Sequence, residues 1–355
     1  MSDLLNVNQN TGSDSRKVAL IGGGSVAGPH LRAMALINQS IGAVQLVDFA
    51  SRDERVLTGD FYRPFNWDNK PGPKIVMDGI TAHKDWKRML RQTEAQLVFV
   101  LASTNLHHQM VLAALKAGKD VFVEKPLTRT VAEAKEILAV CTSTGMQCFV
   151  GHIVEFIPGY TNIGDLLFNR TRQNSVQSVN FRRLVPWSQV EADEKKNSGV
   201  VFDGYAADLG IHEAGILAQN VRSIQVKESI RYLNQIQYAK ARVVLTNNAM
   251  INIEIGASTK VTSFKADFSG IRMDGSEYAL REGVIVDGNT SSVLTEKKPH
   301  EIFAEEQSLM LRALNTNSTI HGPLDLSRAV AAIEIMEAMH KSIDAGGEEI
   351  RIINA

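Results

Sequence analysis

From Lys17 onward, short apolar runs alternate with amphipathic stretches, and this alternation limits what the chain can fold into more than any other feature. KVALI, VQLVD, QLVFVLA, DVFVE and CFVGH read as strands. GPHLRAMALINQ, HKDWKRMLRQ, HHQMVLAALKAG and TVAEAKEILAVCTST read as the helices between them. Strands separated by helices join one parallel sheet covered on its faces, a doubly wound α/β arrangement. After Gly151 the pattern changes: SVQSVNFRRLV, ARVVLTN, MINIEIGAS and KADFSGIRMDG follow one another with only turns between, which implies a mostly antiparallel open sheet in an α+β domain. The expected organisation is a flexible segment over 1–16, a doubly wound domain over 17–151 and an α+β domain over 152–355. Asp325 can cap a late helix whose Leu326, Val330 and Ile333 form an apolar stripe, and the Pro- and Asn-rich stretch from Phe61 to Lys74 reads as a surface loop.

The 38 Lys and Arg nearly cancel the 39 Asp and Glu, which excludes a strongly basic nucleic-acid binder, and 44% hydrophobic residues suffice for sizeable cores. Cys141 and Cys148 are too few for a disulfide framework or a four-thiolate metal site. No zinc-type spacing of histidines appears, so no metal is expected. No stretch approaches eighteen consecutive apolar residues, and the first sixteen lack the apolar core of a secretory signal. The expectation is a soluble, cytoplasmic protein with no membrane partner.

The first strand runs into Gly22, Gly23, Gly24, Ser25, Val26, Ala27 and Gly28, and a helix follows. Gly22, Gly24 and Ala27 fit the G-x-G-x-x-G/A pattern: a tight turn, close backbone approach to a pyrophosphate, and tight helix packing. The main chain through Ser25 and Val26 would meet the phosphates at the helix's amino end. Asp48, closing LVD, stands about where a carboxylate accepts from the adenine ribose hydroxyls, which favours NAD over NADP. Arg52, four residues on, is the side chain that could take a 2′-phosphate instead.

Glu124-Lys125-Pro126 follows a parallel strand at the edge where ligands bind in open α/β sheets, and the proline keeps a helix from starting there. Lys125 is placed to hydrogen-bond a substrate hydroxyl. In GVVFDGYAADLGIHEAGIL, Asp208 and His212 are four apart and share one helix face, with His212 suited to move a hydroxyl proton near neutral pH. Asp203 competes with Asp208 for the aspartate's part.

QLVFVLASTNLHHQMVLAALKAGKDVFVEKPLT resembles a signature of the glucose-fructose oxidoreductase, inositol dehydrogenase and rhizopine-catabolism (Gfo/Idh/MocA) family of NAD(P)-dependent oxidoreductases. Glu124, Lys125 and Pro126 stand intact and His107 falls at the family's histidine, while Ala102 and Ser103 replace its Thr-Pro. The resemblance implies a Rossmann domain and adds Ser103, His107, Glu124 and Lys125 to the cofactor contacts. It makes His212 the acid or base, Asp208 its partner and Lys125 the stabiliser of an alkoxide. GHIVEFIPGY is similar to a segment of members acting on nucleotide-linked sugars, with Glu155 where arginine is expected. That similarity offers His152, Glu155, Arg182, Arg183 and Trp187 to the substrate; strand alternation allows only one of the two arginines on the substrate side. The implied activity is dehydrogenation of a secondary hydroxyl on a sugar, nucleotide sugar or cyclitol, by a homodimer or homotetramer joined through the open face of the second sheet. The alternative is a catalytically retired NAD-binding regulator or scaffold of the same fold.

Overall fold

A computed structural model describes residues 4–352, apart from 162, 164–166, 168–175, 196–203, 273, 282, 317 and 319–321. The chain divides into two compact units, Met1–Phe156 with Lys297–Ser327, and Ile157–Glu296 with Arg328–Ala355.

The first unit carries six parallel strands: β1 (Arg16–Ile21), β2 (Val44–Ala50), β3 (Thr81–His83), β4 (Leu97–Val100), β5 (Asp120–Glu124) and β6 (Cys148–Gly151). They lie in the order β3-β2-β1-β4-β5-β6. Helices α1 (Ala27–Ile41), α2 (Glu54–Leu57), α3 (Trp86–Gln92), α4 (Thr104–Lys116) and α5 (Val131–Thr144) connect them. Leu97 to Val100 and Val121 to Val123 are fully buried, as a parallel sheet covered on both faces requires. The direction of winding reverses between β1 and β4, and that reversal opens a crevice at the strands' carboxyl ends. Five of the strands are the apolar runs of the sequence. The sixth, Thr-Ala-His, is too short and polar to register as one.

The amino-terminal segment is not a loose lead-in from Leu4 onward. Leu4 and Leu5 pair in parallel with Lys74 and Ile75, Val7 is fully buried, and Asn38 Nδ2 donates to the Val7 carbonyl at 2.7 Å. The loop from Phe61 to Lys74 is likewise half a core element, because Phe61 and Phe65 are buried beneath it.

The second unit holds β7 (Val176–Pro186), α6 (Trp187–Lys195), α7 (Tyr205–Leu217), β8 (Val221–Tyr232), β9 (Gln235–Leu245), β10 (Met250–Ser258), β11 (Lys265–Arg272), β12 (Glu277–Arg281), β13 (Val284–Asp287) and β14 (Thr290–Val293). Next come α8 (Pro299–Thr316), α9 (Leu326–Asp344) and β15 (Ile350–Arg351). The nine strands run β14-β13-β12-β11-β7-β10-β9-β8-β15 and are antiparallel except for the β7–β10 pair. α7, buried along most of its length, covers one face of the sheet. Gly210 permits that close approach, since a Cβ there would lie 2.4 Å from Ile255 Cδ1. The other face is open and polar, with Asn180, Arg182, Lys240, Asn252, Glu254 and Asp267 around a shallow groove.

The boundary near Gly151 needs one correction. α8 follows all but the last strand of the second sheet in sequence, yet it packs on α1 of the first unit, burying Ile302, Phe303, Met310 and Leu311. An amphipathic stripe announces a buried face without saying which core receives it. Among the described residues no helix is long and apolar enough to cross a membrane, and no group of three or more His, Cys, Asp or Glu side chains could hold a metal ion.

Candidate active site

The glycine turn is shaped from both sides. Gly22 has a φ of +119°, and a Cβ there would fall 2.3 Å from the Leu101 carbonyl oxygen at the end of β4, so only glycine fits. Gly24, by contrast, has nothing within 4 Å of where its Cβ would be. Its open side is a place where a ligand can approach bare backbone. Ser25, Val26 and Ala27 lead into α1, whose N-cap residue Val26 makes no side-chain cap and whose first turn carries no acid. The positive pole of a fifteen-residue helix is therefore left for an outside anion. These residues fit a dinucleotide's diphosphate.

Asp48 does not stand where the ribose reading put it. β2 runs on to Ala50, and a bulge between Leu46 and Asp48 re-aims the carboxyl into the sheet's edge. There its Oδ1 meets His83 Nε2 at 2.7 Å and its Oδ2 accepts from Thr93 Oγ1 at 2.6 Å, with the side chain buried. Asp48 ties β3 and the end of α3 to β2.

Glu124 closes β5, and Lys125, half-buried, follows at the carboxyl edge of the sheet with a cis bond to Pro126. A chain of hydrogen bonds holds the turn from behind. Gln307 Nε2 donates to His30 Nδ1 at 3.0 Å, which leaves the ring's other nitrogen to donate to Glu124 Oε1 at 2.9 Å. Glu124 Oε2 accepts from the Lys125 backbone N–H at 3.2 Å. His30 is fully buried among Phe99, Phe122 and Phe303, its ring 4.6 Å from that of Phe303. Beside Gln307, Glu306 is fully buried with neither carboxyl oxygen hydrogen-bonded, and burial first, then the nearby Glu124, pushes its carboxyl well up from the ordinary range.

His107 also serves this turn. Its Nδ1 lies 2.8 Å from the Pro126 carbonyl and its Nε2 2.9 Å from the Ala102 carbonyl, so one buried ring joins the loops after β5 and β4. Burial pulls its pKa down, with the two carbonyls and Glu124 acting the other way. With both nitrogens on main-chain oxygens, His107 fastens the cofactor-side loops and has no atom left for a cofactor. Ser103 is exposed at the start of α4 and makes no cap to its own helix. His152 is buried just past β6, and Glu155 is half-buried in the single 3₁₀ turn Ile153–Phe156.

In the second unit, Asp208 lies in the first turn of α7 and the buried His212 one turn later. Asp203 lies outside the described residues. Next to His212, Glu213 Oε1 accepts from Arg183 Nε at 2.7 Å, both side chains nearly inaccessible, with the Tyr160 ring 5.3 Å from the guanidinium. Burial opposes the arginine's charge, but Glu213 and Tyr160 more than offset it and keep the pKa raised. Arg183 pairs across the sheet with Ile255, which touches α7, so it lies on the covered face. Arg182 points the other way, exposed, where Asp267 accepts from its guanidinium at 3.0 Å. It is on the wrong face to accompany Asp208 and His212. Trp187 packs with Val190, Tyr205 and Ala257 and meets the Tyr232 ring edge-on, as a core side chain does.

Tyr160, Glu213, Glu306 and Gln307 carry these arrangements without having stood out in the sequence. Only Glu213 had a local signal, since it adjoins His212.

The strand order, the glycine turn and the bare amino end of α1 define a dinucleotide-binding Rossmann domain. Residues 16–152 match the model of the Gfo/Idh/MocA oxidoreductase family with its NAD-binding Rossmann fold. Among relatives, scyllo-inositol 2-dehydrogenase (NADP(+)) of Bacillus subtilis is 24% identical over 198 residues, 53% of this chain and 55% of that protein. The chain matches 30% to 66% of the length of the first four curated relatives. Scyllo-inositol dehydrogenase from Lactobacillus casei, solved with NAD(H) and scyllo-inositol, superposes with a TM-score of 0.73 over 95% of this chain and 99% of that one, at 13% identity. The WlbA dehydrogenase of Bordetella pertussis, solved with NADH and UDP-GlcNAcA, gives 0.73 over 96% and 100%, at 15%. The fold is thus shared along nearly the whole chain.

Proposed function

We propose that the protein is an NAD(P)-dependent dehydrogenase that oxidises a secondary hydroxyl of a neutral polyol, a cyclitol or free sugar, or reduces the corresponding ketone. The observation that carries this reading is Lys125 at the carboxyl edge of the parallel sheet, fixed from behind by Glu124, His30 and His107. A nicotinamide dinucleotide, when bound, supplies the hydride acceptor or donor. The backbone of Gly22 to Ala27 receives its diphosphate. His212 takes the hydroxyl proton as general base and returns it in the reverse direction, Asp208 orients His212, and the Lys125 ammonium stabilises the developing alkoxide.

The preference for an uncharged substrate rests on the two arginines the sequence offers for a phosphate or carboxylate. Arg183 is neutralised by Glu213 and Arg182 by Asp267, and Glu155 occupies the position where an arginine was expected. The inositols named for several relatives and neighbours fit this better than the nucleotide sugar bound in WlbA. The same reading makes the protein a homo-oligomer, which light scattering would check.

The test is turnover of a panel of inositols, free sugars and nucleotide sugars, followed by nicotinamide absorbance. Lys125→Ala and His212→Ala should each lower kcat by about 10²- to 10⁴-fold while leaving dinucleotide affinity near that of the wild type. Undiminished turnover in either variant would remove the assigned role. Dinucleotide binding without turnover on any polyol would favour a regulator or scaffold.

A further inference from the structure

The displacement of Asp48 changes what the adenine end of the cofactor site can accept. With both carboxyl oxygens held by His83 and Thr93, Asp48 has no atom left for a ribose, and turning it outward would strand the half-buried His83 and the buried Thr93. The strand end belongs instead to Ala50, followed by Ser51 and Arg52. Ala50 offers no polar group. Ser51 borders the glycine turn, its Oγ 3.2 Å from where a Cβ on Gly23 would be, and it accepts the Asp53 N–H at 3.1 Å, so its hydroxyl hydrogen is left to donate.

Arg52 is exposed. Its neighbours are already engaged: Arg55 Nε donates to Asp60 at 2.7 Å and Arg63 Nη2 to Asp53 at 2.7 Å. Asp53 also accepts from Tyr62 and from two backbone N–H groups of α2, and Glu54 is paired with Lys84. Among the described residues no carboxylate claims Arg52. A carboxylate at the strand end repels a phosphate on the ribose 2′ oxygen, whereas a guanidinium pairs with one through two parallel hydrogen bonds.

We infer that the site admits a 2′-phosphate, with Arg52 pairing it and Ser51 donating to it, so that the protein takes NADP(H) as well as NAD(H). This rests on the dinucleotide reading above and adds the identity of the groups that meet the ribose.

Binding to the full chain separates the two ideas without any substrate. NADPH and NADH would be titrated by nicotinamide fluorescence, and 2′,5′-ADP and 5′-AMP, which differ only in the 2′-phosphate, by calorimetry. Expected are NADPH binding at least as tight as NADH and 2′,5′-ADP binding tighter than 5′-AMP. Arg52→Ala, at an exposed position, should weaken NADPH and 2′,5′-ADP by about tenfold and shift NADH by less than about twofold, the loss of one charged hydrogen-bonding partner. Arg52→Glu should invert the preference toward NADH. NADH binding with NADPH tenfold or more weaker would overturn the inference and leave the dinucleotide reading standing, as would equal loss of both cofactors in Arg52→Ala. Binding of neither would overturn both.

Discussion

Glu306 gives the sharpest test of how the first unit is held together. Its carboxyl is fully buried with neither oxygen hydrogen-bonded, and burial and then Glu124 raise its pKa well above the ordinary 4.5. Below pH 4.5 the acid is protonated in both folded and unfolded chains and costs nothing through linkage. As the pH rises, the unfolded chain releases this proton while the folded one keeps it. Stability then falls by about 1.4 kcal/mol per pH unit until the folded-state pKa is reached. Glu306→Gln keeps the size and polarity of the group but cannot ionise. The variant's stability relative to the wild type should therefore climb by about 1.4 kcal/mol per pH unit above pH 5, whatever constant offset the buried amide introduces. Urea denaturation of both proteins at pH 5, 6, 7 and 8 measures this, and the titrating groups that do not interact with Glu306 cancel in the difference. Parallel stability curves would refute the reasoning, because they would mean that the folded chain ionises Glu306 as readily as the unfolded one.

Two further outcomes follow from positions already described. Arg183→Met should destabilise by about 3–5 kcal/mol because it leaves Glu213 charged and buried, whereas Arg182→Ala should cost at most about 1 kcal/mol, its pair being exposed; equal losses in chemical denaturation would contradict the placement of the two arginines on opposite faces. Gly22→Ala should fail to give folded protein, while Gly24→Ala, whose Cβ meets nothing, should melt like the wild type yet lose dinucleotide affinity in the same fluorescence titration.

How far the sequence could be read depended on the range of the interactions involved. The glycine turn, the Glu-Lys-Pro turn and the Asp208–His212 spacing are local, and each lies on the element its pattern implied. Arg182 and Arg183 do lie on opposite faces of β7, as alternation along a strand requires. The reading of Asp48 failed because a single extra residue in β2 re-aims everything after it, and a bulge leaves no mark in an apolar run. His30 sits in the first turn of α1. Its partners Glu124 and Gln307 lie 94 and 277 positions away, and nothing local could have named them. His107 carried the right position and a different task, since a buried ring between two carbonyls resembles a ligand contact only until the carbonyls are seen.

The return of α8 to the first unit has a consequence for how the protein is made. Phe303 packs against His30 and Phe65, and Gln307 completes the polar chain behind Lys125, yet both follow all but the last strand of the second sheet in sequence. On the ribosome, the dinucleotide-binding unit cannot close its core until nearly the whole polypeptide has been synthesised. For the same reason a fragment stopping at the apparent domain boundary would emerge with the aromatic cluster around His30 uncovered, and producing that unit alone requires Lys297–Ser327 to be spliced back onto its end.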